Sequence, residues 1–221
     1  LVRTDPDVPK YAGLSMMIVP LKAPGVDIRP LRQMTGESHF NEVFLDGVRV
    51  PLANLVGAPG DGWSVLNGML RHERLALSAG TAGGMLTTDG FAELLELARM
   101  RGIADRPEVR EVLGEIYLQN RLLEYMGVRI RDAVDAGVEM GPVGSIGKIG
   151  VAKLARLTAE AGVLIGGESV IARRDRDNVS ADLARQFLHS PSTGIAGGTT
   201  EIQKNVVAER VLGLPREARA D

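Results

Sequence analysis

From Pro107 to Asp135 the apolar residues Val109, Val112, Leu113, Ile116, Leu123, Met126, Ile130 and Val134 recur at spacings of three and four, with Asn120 and Gly127 on the same line. That period marks one face of an α-helix, and Pro107 suits its first turn, where no backbone N–H is needed. Further helices are predicted from about 145 to 165, from about 180 to 189 and from 200 to 212, the last closed by Gly213 and Pro215 in the usual order of stop signals. These long helical periods can be satisfied only by packing helix on helix, so most of the chain is predicted to be a helical bundle.

The first 57 residues differ. "LSMMIVP" (14–20), "VDIRP" (26–30) and "NEVFLDGVRVP" (41–51) are short apolar runs broken by proline and glycine, which predicts β-strands. The pattern changes around "GAPGDGW" (57–63), and from Trp63 onward the period is helical. The fold class is therefore α+β, mainly α, with residues 1–57 as a β unit and 58–221 as the bundle. "SAGTAGG" (78–84) is costly inside a helix, since each glycine loses about 1 kcal/mol against alanine, and its small residues predict close approach by another helix or a ligand. "ARRDRDN" (172–178) mixes charge signs and is predicted to be a solvated loop.

Composition removes several classes of function. The formal charge is −2 and the pI about 6.0, with the basic residues scattered among acids, so no basic stripe is available for nucleic acid or an anionic membrane. There is no cysteine, which excludes disulfides, thiolate metal sites and a cysteine nucleophile. The three histidines, at 39, 72 and 189, are dispersed, and no metal site is predicted. No apolar run has the length of a membrane-spanning helix, so no membrane insertion is predicted, and "LVRTDPDVPKYAG" lacks the blocks of a signal peptide. A cytoplasmic location is expected. The chain opens without a methionine on what looks like the end of a strand, and is expected to be a fragment.

Two stretches carry chemistry. In "LRHERLALSAG" (70–80), Leu66, Met69, Leu70, Glu73 and Leu77 fall on one helical face, which places the carboxylate of Glu73 in an apolar stripe. Its neighbours three and four residues away are Leu70, Met69, Ala76 and Leu77, none able to form an ion pair with it. Either Glu73 is a buried, activated carboxylate, or the face is misplaced and the group is solvated or paired with a distant arginine. In "STGIAGGTTEIQKNVVAERVLGLP" (192–215), Gly197 and Gly198 lead into a helix, with Thr200 and Gln203 in capping-box spacing. A glycine pair at a helix N-terminus exposes N–H groups and the positive end of the dipole, which suits a phosphate; the simpler alternative is an ordinary capped helix.

"KYAGLSMMIVPLKAPGVDIRPLRQMTGESHFNEVFLDGVRVPLANLVG", then "GW", "ERLALSAG" and "IAGGTTEIQKNVVAERVLGLPRE", in this order, resemble the second half of an acyl-CoA dehydrogenase. The resemblance implies that 1–57 is the second part of the β (middle) domain and 58–221 the C-terminal helical bundle of that family. It also implies FAD as cofactor, an acyl-CoA thioester as substrate, electron-transfer flavoprotein as electron acceptor, and a homo- or hetero-oligomer. Family members remove the α-proton of the thioester with a glutamate while the β-hydrogen leaves as hydride to flavin. That glutamate usually stands just before the Gly-Thr pair of the C-terminal motif, where this chain has Gly197. Enzymes resembling isovaleryl-CoA dehydrogenase instead draw the base from the first bundle helix, and the matching residue here is Glu73.

By the same resemblance Arg74 contacts the CoA portion of the substrate. Gly198, Thr199 and Glu201 contact the flavin, and the N–H of Gly197 polarises the thioester carbonyl. Two family features are missing. No Phe-Gly follows Arg99 or Arg101 in "ARMRGIADRPEVR" (98–110), where the family reaches across the dimer to a neighbouring FAD, and Val163 stands where a glutamine is usual in "GVLIGGESV" (162–170). These departures suit one member of a pair of unlike subunits. A non-catalytic structural subunit and an acyl-CoA oxidase are the competing expectations.

Overall fold

The structure is a computed structural model that describes residues 1–78, 90–138, 142–172 and 179–216, except for the side chains of Arg71 and residues 74–78. The chain divides into two compact units, Leu1–Ala76 and Leu77–Asp221. Most of "SAGTAGG" and of "ARRDRDN" lies outside the described residues.

In the first unit β1 (Val2–Arg3), β2 (Leu14–Met17) and β5 (Leu55–Val56) form an antiparallel sheet in the order β1-β2-β5, while β3 (Val26–Leu31) and β4 (Phe40–Leu45) form a separate antiparallel ladder. That ladder pairs Val26 with Leu45 and Leu31 with Phe40. The three predicted runs are therefore strands, but two end early. Beyond Met17, Ile18 is held by Asn54, whose carbonyl accepts from Ile18 N at 3.0 Å and whose Nδ2 donates to Ile18 O at 2.8 Å. Beyond Leu45 the chain turns, with Asp46 N donating to Gly25 O at 2.9 Å.

Helix α1 (Gly62–Ser78) is seated on β2 at its first residue. A Cβ on Gly62 would stand 2.6 Å from Ser15 C and 2.7 Å from Ser15 Cα, so only glycine permits this approach. The hydroxyl of the fully buried Ser15 accepts from Gly60 N at 3.1 Å and pairs with the Thr4 hydroxyl at 2.7 Å. Trp63 stacks on Tyr11 with ring centroids 4.0 Å apart. A polar residue, a glycine and an aromatic pair thus fix where α1 starts.

The second unit is α2 (Gly90–Met100), α3 (Pro107–Asp135), α4 (Val143–Gly166), the short α5 (Glu168–Ala172), α6 (Val179–Thr193) and α7 (Thr200–Arg210). Helix α4 is central and touches each of the others. Its small residues permit this: a Cβ on Gly150 would lie 2.9 Å from Leu123 Cδ2 of α3, and one on Gly162 the same distance from Leu183 Cδ2 of α6. The core gathers Leu94 and Ala98 from α2, Val109, Leu113 and Ile116 from α3, Ala161 and Ile165 from α4, Val170 from α5 and Leu183 from α6. The predicted face of α3 is buried over its first half; Leu123, Met126 and Ile130 are half-buried and Val134 is exposed. Among the described residues no helix is long and apolar enough to cross a membrane, and no group of three or more His, Asp or Glu is placed to hold a metal ion.

Candidate functional site

Helix α6 ends in a turn held by side chains as much as by backbone. Pro191, inside its last turn, has no N–H for the carbonyl of Phe187, and Ser190 Oγ donates there instead at 2.9 Å. Thr193, the last helical residue, is buried; its Oγ1 donates to Ser190 O at 2.6 Å, and its carbonyl accepts from Lys148 Nζ, reaching across from α4. Lys148 is half-buried, and burial pushes its ammonium below the ordinary 10.5.

The chain then turns through Gly197 (φ 68°) and Gly198 (φ 97°), a region that side-chain-bearing residues rarely adopt. Three bonds tie the turn to α7. Thr200 N donates to Gly194 O at 2.9 Å, Thr200 Oγ1 to the same oxygen at 3.3 Å, and the buried Gln203 Nε2 to Gly197 O at 3.3 Å. Among the described residues the N–H groups of Gly197 and Gly198 have no hydrogen-bond partner.

The predicted capping box is corrected by one residue. Thr199, with extended backbone, is the N-cap of α7, and its Oγ1 accepts from Ile202 N at 3.2 Å. Thr200 is already helical because both its polar groups turn back to Gly194, and Gln203 spends its amide on Gly197 instead of returning to the cap. The turn thus presents, among the described residues, two unpaired donors at the positive end of an 11-residue helix. That donor set fits an anionic oxygen, such as a phosphate of FAD or a thioester oxygen gaining charge. Glu201, on the first turn of α7, is exposed.

Glu73 lies on α1, and the expected burial of its face is not seen: Leu66 and Leu70 are half-buried, Met69 is 54% exposed, and Glu73 itself is exposed. The close packing of α1 on β2 is at its N-terminal turn, where Gly62 meets Ser15. Glu73 has no ion-pair partner among the described residues. The side chain of Arg74 lies outside the described residues. Glu73 and Arg74 belong to the first unit, and Gly197, Gly198, Thr199 and Glu201 to the second.

Arg101 has a use that its position in the altered motif did not predict. Its Nη1 donates to Ile165 O at 2.9 Å and its Nη2 to Ser169 Oγ at 3.0 Å, closing the C-terminal end of α4 from the end of α2. Sequence reasoning missed Lys148 altogether, because its acceptor is a backbone carbonyl 45 residues away.

Residues 60–212 match the family model described as acyl-CoA dehydrogenase, C-terminal domain. Acyl-CoA dehydrogenase IpdE1 of Mycolicibacterium smegmatis is 36% identical over 99% of this chain and 54% of its own length. Acyl-CoA dehydrogenase FadE34 of Mycobacterium tuberculosis is 38% identical over 98% of this chain and 29% of its own length. The chain thus spans about half, or less, of these relatives. Among solved structures, the Tcur3481-Tcur3483 steroid ACAD superposes with a TM-score of 0.83 at 26% identity, over 97% of this chain and 56% of that one.

Proposed function

The chain belongs to the acyl-CoA dehydrogenase family, over the C-terminal domain of its members, and from that premise we propose that it is the base-bearing part of an FAD-dependent acyl-CoA dehydrogenase. The observation that carries the proposal is the Gly197–Gly198 turn, whose two N–H groups have no hydrogen-bond partner among the described residues, in a chain whose α1 holds a glutamate with no ion-pair partner among them. Glu73 removes the α-proton: a carboxylate oxygen takes it, and the C–H electron pair moves toward the thioester, building charge on the carbonyl oxygen. Gly197 N–H donates to that oxygen and stabilises the charge without any side chain. Arg74 binds the CoA portion, and Gly198, Thr199 and Glu201 hold FAD. Bound FAD supplies the acceptor for the β-hydrogen. Electron-transfer flavoprotein as acceptor, a homo- or hetero-oligomer and a cytoplasmic location complete the proposal.

The test is anaerobic single-turnover reduction of the flavin by acyl-CoA in the full-length protein. Glu73→Gln should keep fold and flavin content and slow reduction by roughly 10²- to 10⁴-fold. Reduction at the parent rate refutes Glu73 as the base. A second reading, a structural subunit without its own flavin, is favoured by Arg101, whose guanidinium is engaged within its own unit, and by Val163. It predicts that the parent protein carries no flavin at all.

A further inference from the structure

Helix α4 carries three cationic side chains, and two of them are ordinary. Lys153 pairs with Glu115 at 2.9 Å and Arg156 with Glu160 at 2.8 Å, and both cations are exposed. Lys148 is different: it is half-buried, pairs with no carboxylate among the described residues, and gives its ammonium to the carbonyl of Thr193. Taking an ammonium out of water is unfavourable, and the negative end of a helix offsets part of that cost. Thr193 closes α6, so the acceptor is that negative end.

The acceptor also lies one residue before Gly194, whose carbonyl receives both polar groups of Thr200, and four before Gly197, whose carbonyl receives Gln203. The turn between α6 and α7 is therefore pinned from outside at three oxygens, those of Thr193, Gly194 and Gly197. The two later pins come from α7 itself. Of these bonds, only that of Lys148 comes from the central helix of the bundle.

We propose that Lys148 is a positioning residue: its bond to Thr193 fixes the first peptide of the turn against α4, so that the unpaired N–H groups of Gly197 and Gly198 keep one direction. Its value to turnover rests on the proposed role of Gly197 as donor to the thioester oxygen. Misplacing such a donor loses more in the transition state, where the oxygen is charged, than in the ground state. The loss should therefore fall on kcat more than on KM.

Two measurements separate the clamp from the role it serves. In the 221-residue chain, Lys148→Met keeps the apolar stem and removes the donor, and hydrogen exchange should quicken in 194–199 while the first half of α3 keeps its protection. In the full-length enzyme the same variant should lose roughly ten- to hundredfold in kcat with KM little changed, and Lys148→Arg should restore most of the loss. If Lys148→Met fails to fold, Lys148→Gln, whose shorter amide falls short of Thr193, carries the same comparison. Exchange at the parent rate in 194–199 overturns the clamp. Faster exchange with parent kcat leaves the clamp standing and overturns the role given to Gly197. A rise in KM with kcat unchanged overturns the transition-state argument.

Discussion

Replacing Gly198 by alanine adds one methyl group at the point where the turn is most constrained. The backbone there has φ 97°, outside the regions open to alanine, and such a residue costs on the order of 1–3 kcal/mol. The new Cβ would also stand 2.3 Å from Gln203 Nε2. Because Gln203 is only 6% exposed, its amide has little room to retreat and must give up its bond to Gly197 O, a further loss of about 1 kcal/mol. The two terms sum to about 2–4 kcal/mol. For a unit of this size that lowers the melting temperature by about 5–15 °C. Thermal unfolding of the chain followed by far-ultraviolet circular dichroism measures it, since the bundle dominates the helical signal. A change below about 1 kcal/mol would mean that the turn relaxes without strain, and the description of Gly197–Gly198 as a rigid pair of donors would fail.

Two further outcomes rest on the same geometry. Gly114→Ala, on a solvent-facing position of α3 with nothing within 4 Å of the new methyl, should stabilise the bundle by about 0.5–1 kcal/mol in urea titration; a loss of stability would refute the exposed placement of that face. The lowered Lys148 pKa sets a sign for pH dependence. Between the folded-state value and 10.5 the unfolded chain holds the proton and the folded chain does not, so stability due to this group rises with pH through that window and is lost again as pH falls. Urea midpoints of parent and Lys148→Met chains, compared from neutral pH to 10.5, should therefore move in the parent's favour on the alkaline side.

The period of α3 was plain in the residues because the first half of that helix buries one face, and the ends of α3, α4 and α6 fall within a few residues of those predicted. The strand ends were harder, since a side-chain amide and a carbonyl at Asn54, distant in sequence, decide where β2 stops. The helix cap was displaced by one because Thr199 and Thr200 stand side by side, either able to cap, and only the return of Thr200 to Gly194 decides between them. Glu73 was singled out by its neighbours, which are local, but its burial depends on what covers α1 along the whole stripe. Periodicity specifies a face and not its partner. Lys148 left no trace of this kind, because a backbone carbonyl carries no sequence signature.

The position of Glu73 depends on a contact eleven residues away. A helix is stiff, so the seat of α1 at Gly62 sets the place of the carboxylate about 16 Å further on. At Gly62 a methyl group would meet the backbone of Ser15 at 2.6 Å, where ordinary carbon contacts are about 3.5–4.0 Å. Helix and strand must separate by roughly 1 Å, because the obstructing atoms are backbone and cannot swing aside. Such overpacking costs about 1–3 kcal/mol or more. Gly62→Ala should therefore loosen the stack of Trp63 on Tyr11, and as Trp63 is the only tryptophan in the chain, its fluorescence reports the seat directly. In the full-length enzyme the same displacement of the base should slow flavin reduction by roughly 100-fold. Gly68→Ala, on the same helix with nothing within 4 Å, is the control: it should leave the Trp63 emission and the reduction rate at parent values. If Gly62→Ala keeps parent emission and parent stability, α1 is not seated through Gly62, and the placement of Glu73 must be set by some other contact.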